Sequence, residues 1–282
     1  MDKILDIRPS PIAGTWYSGD PTQLKSTVDK YIENADIPDL PGDVLAVVAP
    51  HAGYRYSGGV AGHAFKAVKG QAYDFVLVIS PLHQYHPQPI LTSAHAAYQT
   101  PLGKIPIEKH ILDQIQIKLK EKIGADLTPI RNDKEHALEI QLPFLQRAID
   151  GAFNLVPIML RDQSRSFAKA LGELIAEIIR DKSCLIVASS DLSHFHPETI
   201  ANKLDQKVLQ AVAEFSPETL FDLKDQGLGQ ACGLAPIAAT LWASRALGGD
   251  KVTLLSYDTS AATTGDRSSV VGYGAAAITR SI

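Results

Sequence analysis

Cysteine is almost absent: the 282 residues hold two, Cys184 and Cys232. That is too few for a disulfide framework and fits a reducing compartment. Long apolar runs are also missing. None reaches the roughly 18 residues of a membrane span, and the opening "MDKILDIRPSPIAG" lacks the apolar core of a signal peptide. The expectation is a cytoplasmic protein with no membrane contact. Nor is there an excess of positive charge: 27 Lys and Arg stand against 31 Asp and Glu, a net charge of −4. With no basic stripe, nucleic acid is not an expected partner. No repeat, low-complexity tract or Pro/Gly/Ser-rich linker divides the chain, so residues 1–282 read as a single domain.

The chain is instead rich in buried-strand patterns. "VLAVVA" (44–49), "YDFVLVIS" (73–80), "FNLVPIML" (153–160) and "SCLIVASS" (183–190) are continuous apolar runs, the mark of strands covered on both faces. Helical patterns such as "SFAKALGELIAEIIR" and "ETIANKLDQKVLQAVAEF" alternate with them. The fold class predicted is α/β: a three-layer α/β/α sandwich around a largely parallel sheet. "KVTLLSY" and "SSVVGYGAAAI" close the chain without an intervening helix, which makes the sheet mixed. "PILTSAHAAYQTPLGKIPI" (89–107) alternates around Pro-Leu-Gly and predicts a β-hairpin excursion.

Ionisable residues gather where the apolar runs stop. His51 follows the first run, His83 and His86 the second, and Asp191, His194 and His196 the fourth. Ligands of open α/β sheets bind outside the carboxyl ends of the strands, so three strands deliver imidazoles to one edge. Neutral imidazoles suit a transition metal, but two rarely suffice. Cys232 in "QACGLAPIAATLWA" is a third donor, placed before a helix whose first turn holds Pro236. A helix N-terminus favours thiolate. The same cysteine also reads as a small buried residue packed against a glycine turn, whereas Cys184 reads as core. His51, His83 and Cys232 are expected to converge with ligating atoms within about 5 Å.

Other motifs are less specific. "NDKEHALEIQLPFLQ" reads as a helix capped by Asn132 or Asp133, with His136 and Glu139 on one face. That face either supports a metal ligand or is simply solvated. Trp16 and Tyr17 in "GTWYSGDP" line a pocket or pin the N-terminal arm. The glycines of "SGGVAGHAFKAV" read as helix–sheet packing rather than a phosphate loop. His63, His95 and His110 read as structural or exposed.

Six motifs, "GTWY", "APHAGYRYSGG", "SPLHQYH", "KEHALEIQLPFL", "SSDLSHF" and "ACGLAPI", occur in this order over nearly the whole chain. Together they resemble the Memo-like family, called AmmeMemoRadiSam system protein B in prokaryotes. The family is similar in fold to class III extradiol ring-cleavage dioxygenases. The resemblance implies one transition metal ion, Fe(II) or Cu, with Zn as a further option, held by His51, His83 and Cys232. In the dioxygenases the third ligand is a carboxylate, so ring cleavage does not carry over directly. His194 matches the acid/base imidazole, with Asp191 orienting it or facing the metal. Trp16 and Tyr54 match substrate-pocket aromatics, while Phe195 stands where a Trp is common in eukaryotic members.

The leading functional expectation is a metal-binding redox protein, an oxygenase-like oxidoreductase acting on a small molecule. Two rivals stand beside it. One is a metal-free hydrolase with Cys232 as nucleophile and His194 as base. The other is a module binding a peptide or partner protein in the same pocket, although no Arg cluster accompanies the motifs beyond Arg55. The resemblance also implies a radical-SAM system partner.

Overall fold

The computed structural model describes residues 4–281. In chain order it begins with β1 (Ile7–Arg8), α1 (Pro21–Asn34), β2 (Asp43–Ala49), α2 (Tyr54–Lys66) and β3 (Phe75–Pro81). Next come β4 (Ile90–Ser93), β5 (Ala97–Thr100), β6 (Gly103–Pro106), α3 (Lys109–Ile123) and β7 (Thr128–Ile130). A 3-10 turn (Glu139–Gln141) leads into α4 (Leu142–Ala148), β8 (Asn154–Leu160), α5 (Arg165–Ile179), β9 (Cys184–Ser189) and β10 (His194–His196). The remainder is α6 (Glu198–Ala213), α7 (Pro217–Asp225), α8 (Leu234–Ala246), β11 (Lys251–Thr259), α9 (Ala261–Thr264) and β12 (Val270–Arg280).

The main sheet runs β10-β12-β2-β9-β3-β8-β4-β7, with β11 also paired to β12. Its centre, β2-β9-β3-β8, is parallel, while β12 and β4 are antiparallel to β2 and β8. This is the mixed sheet predicted. Every residue of β3 is buried, as are the last four of β2 and the last five of β9. Two-sided cover is what makes such strands read as unbroken apolar runs. Helices α1, α2 and α4 pack together over one face and α5 with α8 over the other. One apolar core runs from Ile12 to Ile278.

The region predicted as one hairpin divides. Its first part, β4, joins the main sheet beside β8, and only β5 and β6 form the hairpin. β1 pairs with β5 to make a separate three-stranded sheet. The buried Arg8 of β1 then reaches the 133–139 segment, donating to both Asp133 carboxylate oxygens at 2.7 and 2.9 Å, to Glu139 at 2.5 Å and to the Glu135 carbonyl at 2.9 Å.

Those contacts also correct the helix predicted from Asn132. Asn132 takes φ 52° and the chain stays irregular through His136. The Glu135 carboxylate accepts the backbone N–H groups of His136 and Ala137 at 2.9 and 2.8 Å. A side chain that captures these donors delays the helix, which begins at Leu142 with Pro143 in its first turn.

Candidate metal centre

Three neighbouring parallel strands end at one edge, in the order β2, β9, β3. His51 follows β2, Asp191 follows β9, and His83 follows β3. The expected convergence of His51 and His83 is present, and a third imidazole joins them. His51, His83 and His136 each offer a ligand nitrogen, and the three lie within 4.8 Å of one another. That is close enough to hold one metal ion. Their rings are packed, His83 stacked on His136 at 4.6 Å and His51 edge-on to both.

Hydrogen bonds assign the tautomers. Ser189 donates its hydroxyl to the Ala137 carbonyl at 2.6 Å, so it accepts from Gln141 Nε2 at 2.8 Å and from His51 Nδ1 at 3.0 Å. Glu135 Oε1 lies 3.0 Å from His83 Nδ1 and 3.3 Å from His136 Nδ1. A carboxylate only accepts, so the His83 ring carries its proton on Nδ1. Among the described residues the Nε2 atoms of His83 and His136 meet no protein partner, while that of His51 faces the Cys232 thiol at 3.0 Å. A ring fixed through Nδ1 by a carboxylate or hydroxyl is the usual arrangement behind an imidazole ligand.

Electrostatics favour the ligating form. Burial pushes the His51 pKa well below its ordinary value, and repulsion from His83, His136 and His194 adds to the shift. Burial, with a smaller contribution from His83, lowers His136 to about 4 against the pull of Glu135. Burial alone would raise the Glu135 pKa, but its hydrogen bonds from the His83 ring and from backbone N–H groups hold it below the usual range. His51 and His136 are thus held as neutral imidazoles beside a fixed anion, the form that metal binding requires.

Cys232 is not part of the histidine triad; its Sγ lies 3.0 Å from His51 Nε2, against one corner of it. The triad thus differs in its third member from the expected set of His51, His83 and Cys232. Gly233 allows the thiol's approach: a Cβ there would meet the Ser189 carbonyl at 2.4 Å. Burial, then the neighbouring Asp191 carboxylate, pushes the Cys232 thiol far above its ordinary pKa.

Asp191 does face the centre, but it does not pair with His194. Its Oδ1 accepts the His51 backbone N–H at 2.7 Å and its Oδ2 lies 4.0 Å from His51 Nε2. Burial raises its pKa to about 7. Leu192, buried in the core, anchors the turn between Asp191 and His194, and burial lowers the His194 pKa instead of a carboxylate raising it. His196 is peripheral, bonded to Gln230 at 3.2 Å.

Trp16 and Tyr17 divide the two roles considered for them. Tyr17 is buried and pins the N-terminal arm by donating to Glu139 at 2.8 Å. Trp16 packs on His136 with ring centres 4.1 Å apart and planes tilted by 31°, and it lines an open cleft with Ala52, Gly53 and Phe195. Tyr54 is buried and spends its hydroxyl on the Ile140 carbonyl at 2.8 Å, so it supports the wall behind the site.

The family model for Memo-like proteins matches residues 8–277. The chain belongs to the Memo-like family. Among curated members, a MEMO1 family protein of Nitrosopumilus maritimus is 32% identical over 274 residues, covering 95% of this chain and 98% of its own. Another, from Methanothermobacter thermautotrophicus, is 33% identical over 276 residues with the same coverage, 95% and 98%. The crystal structure of an uncharacterized protein from Escherichia coli K12 superposes with a TM-score of 0.51 at 12% identity, covering 83% of this chain and 99% of that one. At that identity the likeness concerns the fold alone.

Proposed function

We propose that this chain is a metal-dependent redox protein that holds one iron or copper ion on His51, His83 and His136 and acts on a small organic molecule. One observation carries the reading: the three rings bring ligand nitrogens within 4.8 Å of one another, with His51 and His83 held through Nδ1 by Ser189 and Glu135. Three imidazole nitrogens suit iron, copper or zinc. Iron or copper, when bound, would supply Lewis-acid and one-electron chemistry, whereas zinc would supply the first alone.

The chain's own groups have separable tasks. Glu135 and Ser189 orient the ligands. Trp16 covers one face of His136 against water. His194, half-buried and neutral at physiological pH, is placed to take a proton at the rim. The metal-free hydrolase reading needs a thiolate at Cys232, which burial and Asp191 both oppose. A bound cation would reverse that field and allow the thiol to ionise.

The test is elemental analysis of protein purified without a His-tag or chelator, alongside His136→Ala. About one iron or copper ion per wild-type chain and none in the variant is the expected result. Wild-type protein that takes up neither metal under anaerobic loading would end the reading.

A further inference from the structure

The cleft beside the triad has a volume of about 640 Å³, within the range of small-ligand sites. Its walls include the rings of Trp16, Tyr56, Phe195 and Tyr273. Asp266 is its one acidic side chain, and among the described residues no Lys, Arg or His lines it. Arg267, next to Asp266, is turned to Glu198 at 3.4 Å. Arg55, whose guanidinium lies 5.9 Å from the Tyr56 ring centre, lines the adjoining clefts but not this one.

Two further features concern the walls. Phe195 holds φ at 62° and is 76% exposed. A bulky residue in the left-handed region is strained, and little packing offsets it here. The chain on either side is fixed, because His194 and His196 both pair with β12. The strain therefore presents an aromatic ring at the mouth of the cleft. Tyr273 is 2% exposed and lines the cleft, yet its hydroxyl has no hydrogen-bond partner among the described residues. That hydroxyl keeps contact with the open cleft and is free to meet a ligand there.

We propose that this cleft binds a small organic cation, its apolar body against Trp16, Phe195 and Tyr273 and its charge between the ring faces and Asp266. Aromatic faces attract cations, and a carboxylate with no competing cation in the lining adds to that field. An anion would meet the same charge as repulsion. The inference rests on the reading above only in naming the substrate class; a quaternary ammonium cannot ligate a metal, so binding does not depend on the ion.

Calorimetric titration of the full chain with benzyltrimethylammonium, benzyl alcohol and benzyl phosphate compares three charges on one ring. Saturable 1:1 binding of the cation, at least about threefold tighter than the alcohol, is expected, with no binding of the phosphate. Asp266→Asn should remove most of the preference for the cation. Phe195→Gly should weaken the cation about three- to tenfold without lowering the melting temperature, because glycine accepts the positive φ. Benzyl phosphate binding as tightly as the cation, or cation binding unchanged in both variants, would overturn the proposal. Cation binding that persists in His83→Ala after metal is lost supports it independently of the metal reading. Metal loading with no cation binding overturns the cleft proposal alone.

Discussion

Glu135 grips His83 at two points: Oε2 accepts its backbone N–H at 2.6 Å and Oε1 its ring Nδ1–H at 3.0 Å. The same carboxylate oxygen accepts the His136 and Ala137 N–H groups. One buried anion therefore sets the position and tautomer of His83 and holds the backbone of His136 beside it. Glu135→Gln keeps the shape but replaces an acceptor oxygen with a donor facing N–H groups. Metal affinity should fall about 10- to 100-fold, read by competition with a chelator. Unchanged affinity would mean that the rings are held by packing alone.

His136 and His194 should separate cleanly. His136 belongs to the triad and His194 does not. His136→Ala should strip the metal, whereas His194→Ala should retain it and lose turnover by about 10²–10⁴-fold once a substrate is in hand. Loss of metal in His194→Ala, measured by elemental analysis, would assign the ligands differently.

Protonation of His136 in the metal-free protein should have its midpoint near pH 4, as burial dictates. Its contribution to folding stability is complete above the ordinary histidine value near 6.5 and is lost as pH falls towards 4. Asp191, raised to about 7, acts with the opposite sign, losing stability as pH rises through that value. The two slopes oppose each other in a melting curve, so the measurement is an NMR titration of the His136 ring, assigned with His136→Ala. A midpoint near 6.5 would show that the ring is solvated.

Gly233→Ala should displace Cys232. The added methyl group would meet the Ser189 carbonyl at 2.4 Å and the Ser190 Cβ at 2.7 Å, neither of which is a flexible chain end. A loss of about 1–3 kcal/mol in a denaturant titration is expected. Wild-type stability together with an undisturbed Cys232 environment would contradict it.

How much of this centre the sequence carried depended on the element bearing each residue. His51, His83 and Asp191 could be placed at one edge because β2, β3 and β9 are continuous apolar runs whose ends are easily located. His136 sits in an irregular segment with no period, and its neighbourhood read as a helix. Glu139, expected on the same face as His136, binds Arg8 and Tyr17 instead, and the carboxylate nearest the ring is that of Glu135, the residue beside it. The available signal was an acid next to a histidine ahead of an apolar stretch, which is too common to choose by. The loop ahead of a helix was enough to bring Cys232 to the site, but its closest partner, His51 Nε2, depends on a long-range approach at Gly233 that local pattern does not carry. The Asp191–His194 pair failed because spacing does not tell which way a turn faces once Leu192 enters the core.

The order of strands has a consequence for biosynthesis. β9 lies between β2 and β3 in the sheet, yet it is made long after both. A nascent chain that has reached Ala148 already contains all three imidazoles, but it lacks the strand that spaces two of them and the Ser189 hydroxyl that orients His51. Non-local pairing of this kind is slow and comes late. A fragment ending at Ala148 should therefore bind metal no better than an unfolded histidine peptide, and the ion should enter only after the ribosome has delivered β9.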